Sequence, residues 1–190
     1  MQSDYKLIFI PQSIPDVILI EPTIHRDNRG YFIETFRQDL FEEAVGSKVN
    51  FTQDNESKST KGVLRGLHYQ LPLHTQAKLV RVIEGSVLDV AVDIRKSSPT
   101  FGQHVSVTLT ALNKQQLFVP HGFAHGFVVL SESATFAYKV DNYYSPDHDR
   151  GIAFNDEVLA IDWQLPLKLL QLSAKDKTYP SLADAKDLFE

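Results

Sequence analysis

The chain is predicted to be mainly β, folded as an antiparallel sandwich or barrel, and three observations carry this. From Phe51 onward, short runs rich in Val, Ile, Leu, Phe and Thr follow one another. Turn-forming clusters separate many of them: Thr60-Lys61-Gly62, Glu84-Gly85, Ser97-Ser98-Pro99 and Leu112-Asn113-Lys114. No sustained alternation of strand with helix occurs, so a parallel α/β sheet is not expected. With 190 residues, 43% hydrophobic and 23% charged, the chain can bury one full-sized core. A single domain over 1–190 is expected, with its core at about 17–176.

Taken in order, Val17 to Ile24 is apolar and β-branched and predicts a strand. His25-Arg26-Asp27-Asn28-Arg29-Gly30 predicts a turn by composition. Tyr31 to Phe36 predicts a second strand. From Arg37 to Val45, the residues Leu40, Phe41, Ala44 and Val45 recur at helical spacing, and Gly46 follows as a stop. Strands are then predicted at 51–56, 62–69, 76–84, 86–94, 103–110, 115–119, 124–130 and 134–141. Beyond Ser145 the pattern is mixed, until Leu182 to Phe189 predicts a terminal helix at about 181–189. No internal repeat or low-complexity tract is present.

The net charge of −5 argues against nucleic acid or an anionic membrane surface as a partner. A few local Arg and Lys residues would still suffice for one diphosphate. With no cysteine, disulfides, thiolate metal sites and cysteine nucleophiles are excluded. Met1 to Lys6 lacks the basic-then-apolar pattern of a secretion signal, and no apolar run reaches membrane-spanning length. A soluble, cytoplasmic protein is expected.

Charge stands out in two apolar strands. His68 and Arg65 lie in Gly62-Val63-Leu64-Arg65-Gly66-Leu67-His68-Tyr69-Gln70, and Lys78 lies in Gln76-Ala77-Lys78-Leu79-Val80. Charged groups in an apolar wall are costly unless paired or used. Strand alternation puts Lys78, Val80 and Val82 on one face, and Val87, Asp89, Ala91 and Asp93 on another. It likewise groups Phe123 with His125 and Phe127, and Phe136 with Tyr138. If these faces line the interior, Lys78, Asp89, His125 and Tyr138 converge. Alternation also places Arg65 opposite His68, unless their strand is bulged.

His68 suits proton transfer, because its unperturbed pKa lies nearest neutrality. Such a base needs a carboxylate to orient it, and Asp89, Asp93 and Asp176 are all candidates. Lys78 reads either as an ion-pair partner of Asp89 or Glu84, or as a fixed cation for a developing oxyanion. Tyr138 reads either as a core tyrosine or as a proton donor facing His68. Arg26, Arg29, Glu34, Gln53, Asn55 and Arg65 read either as ordinary surface or as a set gripping a diphosphate, base or sugar. No Gly-rich phosphate loop or dinucleotide fingerprint occurs, so no nicotinamide cofactor is suggested.

Phe118-Val119-Pro120-His121-Gly122-Phe123-Ala124-His125-Gly126-Phe127 resembles the second motif of cupins, which are double-sheet jelly rolls. In that comparison Gln70 replaces a ligating His of the first motif, and Lys78 stands where a ligating Glu would be. An ammonium has no lone pair and repels a divalent ion, so a metal-free cupin is the better reading.

The block from Leu64 to Gln70, Gln76 to Val80, Val119 to Phe127, Asn142-Tyr143-Tyr144-Ser145-Pro146, Leu172-Ser173-Ala174-Lys175-Asp176 and Asp27 to Phe36 together resemble the dTDP-4-dehydrorhamnose 3,5-epimerase family. The resemblance implies a cupin-type double-sheet jelly roll with short flanking helices, no cofactor and no metal, and a homodimer. It implies inversion at C3 and C5 of dTDP-4-dehydro-6-deoxy-D-glucose, giving dTDP-4-dehydro-L-rhamnose for dTDP-L-rhamnose and cell-surface polysaccharide biosynthesis. It further implies His68 as base, Asp176 as its orienting carboxylate, Tyr138 as acid and Lys78 as the cation on the C4 enolate. Arg29, Phe32, Glu34, Gln53, Asn55, Arg65, His125, Asp149 and Lys175 fall on substrate-binding positions; Asp149 stands where the family often has Glu. The competing readings are an epimerase of one centre only, a non-catalytic sugar-nucleotide-binding cupin, and a metal-dependent cupin enzyme.

Overall fold

A computed structural model describes residues 7–190; Met1 to Lys6, the start of the predicted domain and the segment without a secretion-signal pattern, lies outside them. Thirteen strands and one α-helix are formed by the described residues. The strands are β1 (Leu7–Pro11), β2 (Ile18–Pro22), β3 (His25–Asp27), β4 (Gly30–Phe32), β5 (Gln53–Thr60), β6 (Leu64–Gln70) and β7 (Lys78–Glu84). They continue with β8 (Ser86–Asp93), β9 (His104–Thr110), β10 (Gln116–Val119), β11 (Phe123–Val129), β12 (Ser133–Val140) and β13 (Asp149–Gly151). The helix is α1 (Gln38–Val45).

Two antiparallel sheets face each other, as a double-sheet jelly roll requires. One runs in the order β1-β2-β10-β7-β12-β5, the other β13-β6-β11-β8-β9. The core between them contains Val80 and Val82 of β7, Val87 and Ala91 of β8, Phe123 and Phe127 of β11, and Phe136 of β12. The faces assigned by alternation are therefore the inward ones. The other face of β8 presents Leu88, Val90 and Val92 to a second core, which Trp163, Leu159 and Leu182 cover. β8 and β11 are buried on both faces and largely apolar, with Asp89, Asp93 and His125 as the titratable exceptions on the inward face. A third cluster sits outside the six-stranded sheet, where Phe41 of α1 meets Phe118 edge-on at 5.0 Å.

Three expectations need correction. The segment 25–30 is not only a turn: β3 and β4 form a two-residue hairpin around Asn28 and Arg29. The strand expected at 31–36 ends at Phe32, because Phe36 leaves the strand path to pack on Phe41 and Phe51 at 5.6 and 5.4 Å. The terminal helix at 181–189 does not form. A single turn closes on Ser181, whose carbonyl and hydroxyl accept the Ala185 and Asp184 amides. The chain then extends, and the Phe189 carbonyl accepts the Lys96 amide at 2.8 Å. Leu182, Ala185, Leu188 and Phe189 do pack on the second core, so their apolar spacing records burial rather than helix. The remaining predicted elements form with shifted ends, and Gly46 terminates α1 at a left-handed φ of 70°.

Candidate active site

Strand β6 carries the first group. Its register with β11 pairs His125 with His68 but Phe127 with Arg65, so the ladder slips between them. Two glycines make the slip possible. A Cβ on Gly66 would lie 2.5 Å from the Gly126 Cα, and one on Gly126 would lie 2.8 Å from the Arg65 carbonyl oxygen. The bulge turns Arg65 to the same side as His68. This decides the alternative that strict alternation left open.

The two sheets enclose a cavity of about 280 Å³, lined by Ser57, Arg65, His68, Lys78, His125, Phe127, Phe136, Tyr138, Tyr144 and Asp149. His68 and Arg65 come from the five-stranded sheet, Lys78 and Tyr138 from the six-stranded one. His68 Nε2 lies 2.7 Å from Asp176 Oδ1, across 108 residues of chain. An ionised carboxylate can only accept, so Nε2 carries the hydrogen and Nδ1 is left for proton exchange. Burial disfavours charge on Asp176, but hydrogen bonds from His68 and Ser173 outweigh it and hold the carboxyl below its usual range. The other two candidate partners of His68 are engaged elsewhere. Asp93 binds Arg95, Ser98 and Thr100. Asp89 binds His125 Nε2 with both oxygens, at 2.9 and 3.0 Å.

Lys78 is buried at 9% exposure. Burial lowers its pKa to about 8, against the opposing pull of Asp149 and Asp89. Glu84, its other sequence-level candidate partner, is taken by Lys58 at 3.0 Å. Among the described residues, Lys78 is therefore a cation held inside the cavity with carboxylates near but none hydrogen-bonded to it, and its ammonium donates to the His68 carbonyl at 3.5 Å. Burial also pushes the Tyr138 phenol upward, with Arg65 opposing. His125 shifts downward, chiefly by burial, so it stays neutral more readily than an exposed imidazole.

A second layer surrounds these groups. Asp149 Oδ2 accepts from Lys175 and, at 3.0 Å, from the Tyr144 hydroxyl. The Lys175 ammonium is raised in pKa by that partner. Gln53 Nε2 donates to Asn55 Oδ1 at 2.8 Å, and both lie on the inward side of β5 with Ser57. Tyr144, which lines the cavity, was missed as an individual residue; its only signal was membership of the Asn142-to-Pro146 block. Tyr179 was missed too, and packs edge-on against His68 at 5.7 Å.

Gln53 and Asn55 do not line this cavity, Asn55 lining a neighbouring cleft instead, and Arg29, Phe32 and Glu34 are not brought to it at all. Arg29 and Phe32 sit on the β3–β4 hairpin and line a separate cleft of about 540 Å³. Arg29 pairs with Asp27, and Phe32 is 58% exposed. Glu34 follows the hairpin, with Oε1 buried and without a hydrogen-bond partner. Among the described residues, no group of three or more His, Cys, Asp or Glu side chains is arranged to hold a metal ion. No helix among them is long and apolar enough to cross a membrane.

This arrangement can take a proton on one wall, hold negative charge at the buried ammonium, and return a proton from the opposite wall. Comparisons with known proteins identify what the chain is similar to. A family model described as dTDP-4-dehydrorhamnose 3,5-epimerase matches residues 11–184. The protein of that name from Shigella flexneri is 57% identical over 176 residues, covering 93% of this chain and 96% of the relative. The crystal structure of a dTDP-6-deoxy-D-glucose-3,5-epimerase from Legionella pneumophila, in complex with dTDP-4-keto-L-rhamnose, superposes with a TM-score of 0.94 at 49% identity, covering 97% of this chain and 98% of that one. A dTDP-4-dehydrorhamnose 3,5-epimerase structure from Elizabethkingia anophelis superposes with a TM-score of 0.90 at 50% identity, covering 97% and 100%.

Proposed function

The chain belongs to the dTDP-4-dehydrorhamnose 3,5-epimerase family, and we propose that it inverts C3 and C5 of dTDP-4-dehydro-6-deoxy-D-glucose to give dTDP-4-dehydro-L-rhamnose. The observation that carries the residue assignments is the pairing of the His68–Asp176 dyad with Tyr138 on the facing sheet, and Lys78 buried between them.

Both reacting carbons are next to the C4 carbonyl, so each C–H is acidified by the same ketone. His68 removes the proton at Nδ1 and becomes an imidazolium, which Asp176 stabilises. The electron pair moves onto the C4 oxygen, and the Lys78 ammonium balances the enolate charge in a desolvated site. Tyr138 then delivers a proton to the opposite face of the same carbon, and solvent restores both groups. Repeating the sequence at the second carbon completes the inversion without oxidant, reductant or metal. Arg65, Gln53, Asn55, His125, Asp149 and Lys175 are assigned to the sugar nucleotide. Arg29, Phe32 and Glu34 keep that assignment only if a neighbouring copy in a homodimer presents its hairpin to this cavity. The presence of cationic and amide donors at the mouth supports a diphosphate ligand.

Borohydride trapping of the 4-keto sugars after incubation tests the reading. L-rhamnose and 6-deoxy-L-talose are expected among the trapped sugars. Recovery of only the D-configured 6-deoxyhexoses would overturn it, and inversion at C3 alone or C5 alone would move the chain to a single-centre epimerase.

A further inference from the structure

Gln70 is the residue that stands where a metal-binding cupin places a ligating histidine. Its side chain is 4% exposed, yet it is not part of the cavity lining. Its amide is used in full. Nε2 donates to the His74 carbonyl at 2.6 Å and to the Tyr143 carbonyl at 3.2 Å. Oε1 accepts the Ser145 amide at 2.6 Å. The last two contacts lie on either side of Tyr144, whose own side chain lines the cavity and binds Asp149. Gln70 also pairs directly with Asp149 across the β6–β13 ladder.

The neighbouring contacts tie the same two loops together at their edges. Asn142 Nδ2 reaches the Leu73 carbonyl at 3.0 Å, the Leu71 amide reaches the His148 carbonyl at 3.0 Å, and the His74 and His148 rings lie 4.0 Å apart. Among the described residues, Gln70 does so from a buried position and brackets a single cavity residue, Tyr144, whose own amide donates to the half-buried Gln53 Oε1 at 3.4 Å. A buried amide with every contact made to loop backbone fixes that backbone, because leaving any of its groups unpaired is costly.

We infer that Gln70 is a positioning residue: it holds the Tyr143–Ser145 rim so that Tyr144 and Asp149 are preset against the bound sugar nucleotide, and thereby sets nucleotide affinity rather than the rate of proton transfer. The inference rests on the function proposed above. It uses a position that metal-dependent relatives of the fold give to a ligand, and it leaves His68, Lys78 and Tyr138 untouched.

Gln70→Met keeps the volume and removes all three contacts. Gln70→Glu keeps the acceptor for Ser145 and turns the donors into acceptors facing two carbonyls. Both are expected to weaken dTDP binding, measured by calorimetry, and to raise KM by about tenfold, with kcat within about threefold of wild type. The wild-type chain supplies a check that needs no variant: the Ser145 amide should exchange slowly with deuterated solvent. Unchanged dTDP affinity in Gln70→Met, a fall in kcat with affinity preserved, or fast Ser145 exchange in the wild type would each overturn the inference. A wild-type chain that binds no dTDP at all would overturn the functional reading and this inference with it, so the two failures are told apart.

Discussion

Of the histidine–aspartate pairs among the described residues, two have their histidines on adjacent strands, and their surroundings differ. His68 and His125 face each other directly in the β6–β11 ladder. His68 keeps 34% of its side chain exposed and meets one oxygen of Asp176, which arrives from a distant C-terminal segment. His125 is 7% exposed and meets both oxygens of a fully buried Asp89 on the neighbouring strand. It also stacks against Phe136, with centroids 6.4 Å apart. The same two functional groups thus leave one imidazole solvent-reachable and lock the other into the wall. What separates them is burial and the number of contacts on the carboxylate, not residue type.

The sharpest way to break that distinction is to remove each histidine in turn. His68→Ala is predicted to lower kcat by about 10³-fold and to abolish hydrogen exchange at the sugar carbons. His125→Ala should weaken binding yet keep exchange measurable. The reverse order of effects, read by NMR in deuterated water, would exchange the roles of the two pairs.

Lys78→Met comes next. It should lower kcat by about 10²-fold, since a single preorganised charge stabiliser of an oxyanion is lost. It should also stabilise the fold. Lys78 is shifted from 10.5 to about 8, so the folded state holds the ammonium less well than the unfolded chain does. The penalty is complete below pH 8 and is relieved as pH rises from about 8 toward 10.5. The gain on substitution is thus largest below pH 8, at most on the order of 3 kcal/mol, and fades above it. Urea unfolding of both proteins at two pH values measures this. Wild-type kcat should in turn decline as pH rises through about 8, when the cation is lost.

Tyr138→Phe is expected to uncouple the two walls. Exchange driven by His68 continues, while inversion slows by about 10²-fold, because the proton from the opposite face has no donor. Normal inversion in this variant would remove Tyr138 from the acid role.

The smallest effect concerns acid stability. Asp176 is held below its ordinary carboxylate value, so its stabilising contribution is complete above about 3.8 and is lost as pH falls through the lowered value. Asp176→Asn should remove that part of the acid transition, measured by fluorescence of Trp163, and leave the neutral-pH fold intact.

Much of the fold could be read from period-two patterning, because the strands alternate against one shared core. The inward faces of β7, β8, β11 and β12 follow from that alone. Alternation fails where a strand is not straight: Arg65 could be placed only once the Gly66–Gly126 approach was known, although two glycines facing each other in adjacent apolar runs were its signal. Strand β13 is three residues, Asp149-Arg150-Gly151, with no propensity of its own, and forms because β6 offers it an edge. The apolar spacing of Leu182 to Phe189 pointed to a helix because burial against a sheet leaves the same trace. Asp176 lies 108 residues from His68, so no local spacing could select it over Asp89, and only the family resemblance did so. The same resemblance attached Arg29, Phe32 and Glu34 to the site, where the fold of one chain does not bring them.

The most direct test of the account is a count of deuterium. The wild-type chain is incubated with dTDP-4-dehydro-6-deoxy-D-glucose in deuterated water, and the sugar is followed by NMR. One deuteron at C3 and one at C5, each with inverted configuration, is the result expected of one His68–Tyr138 pair serving both centres. Deuterium at a single carbon, or inversion at either carbon without deuterium, would contradict it.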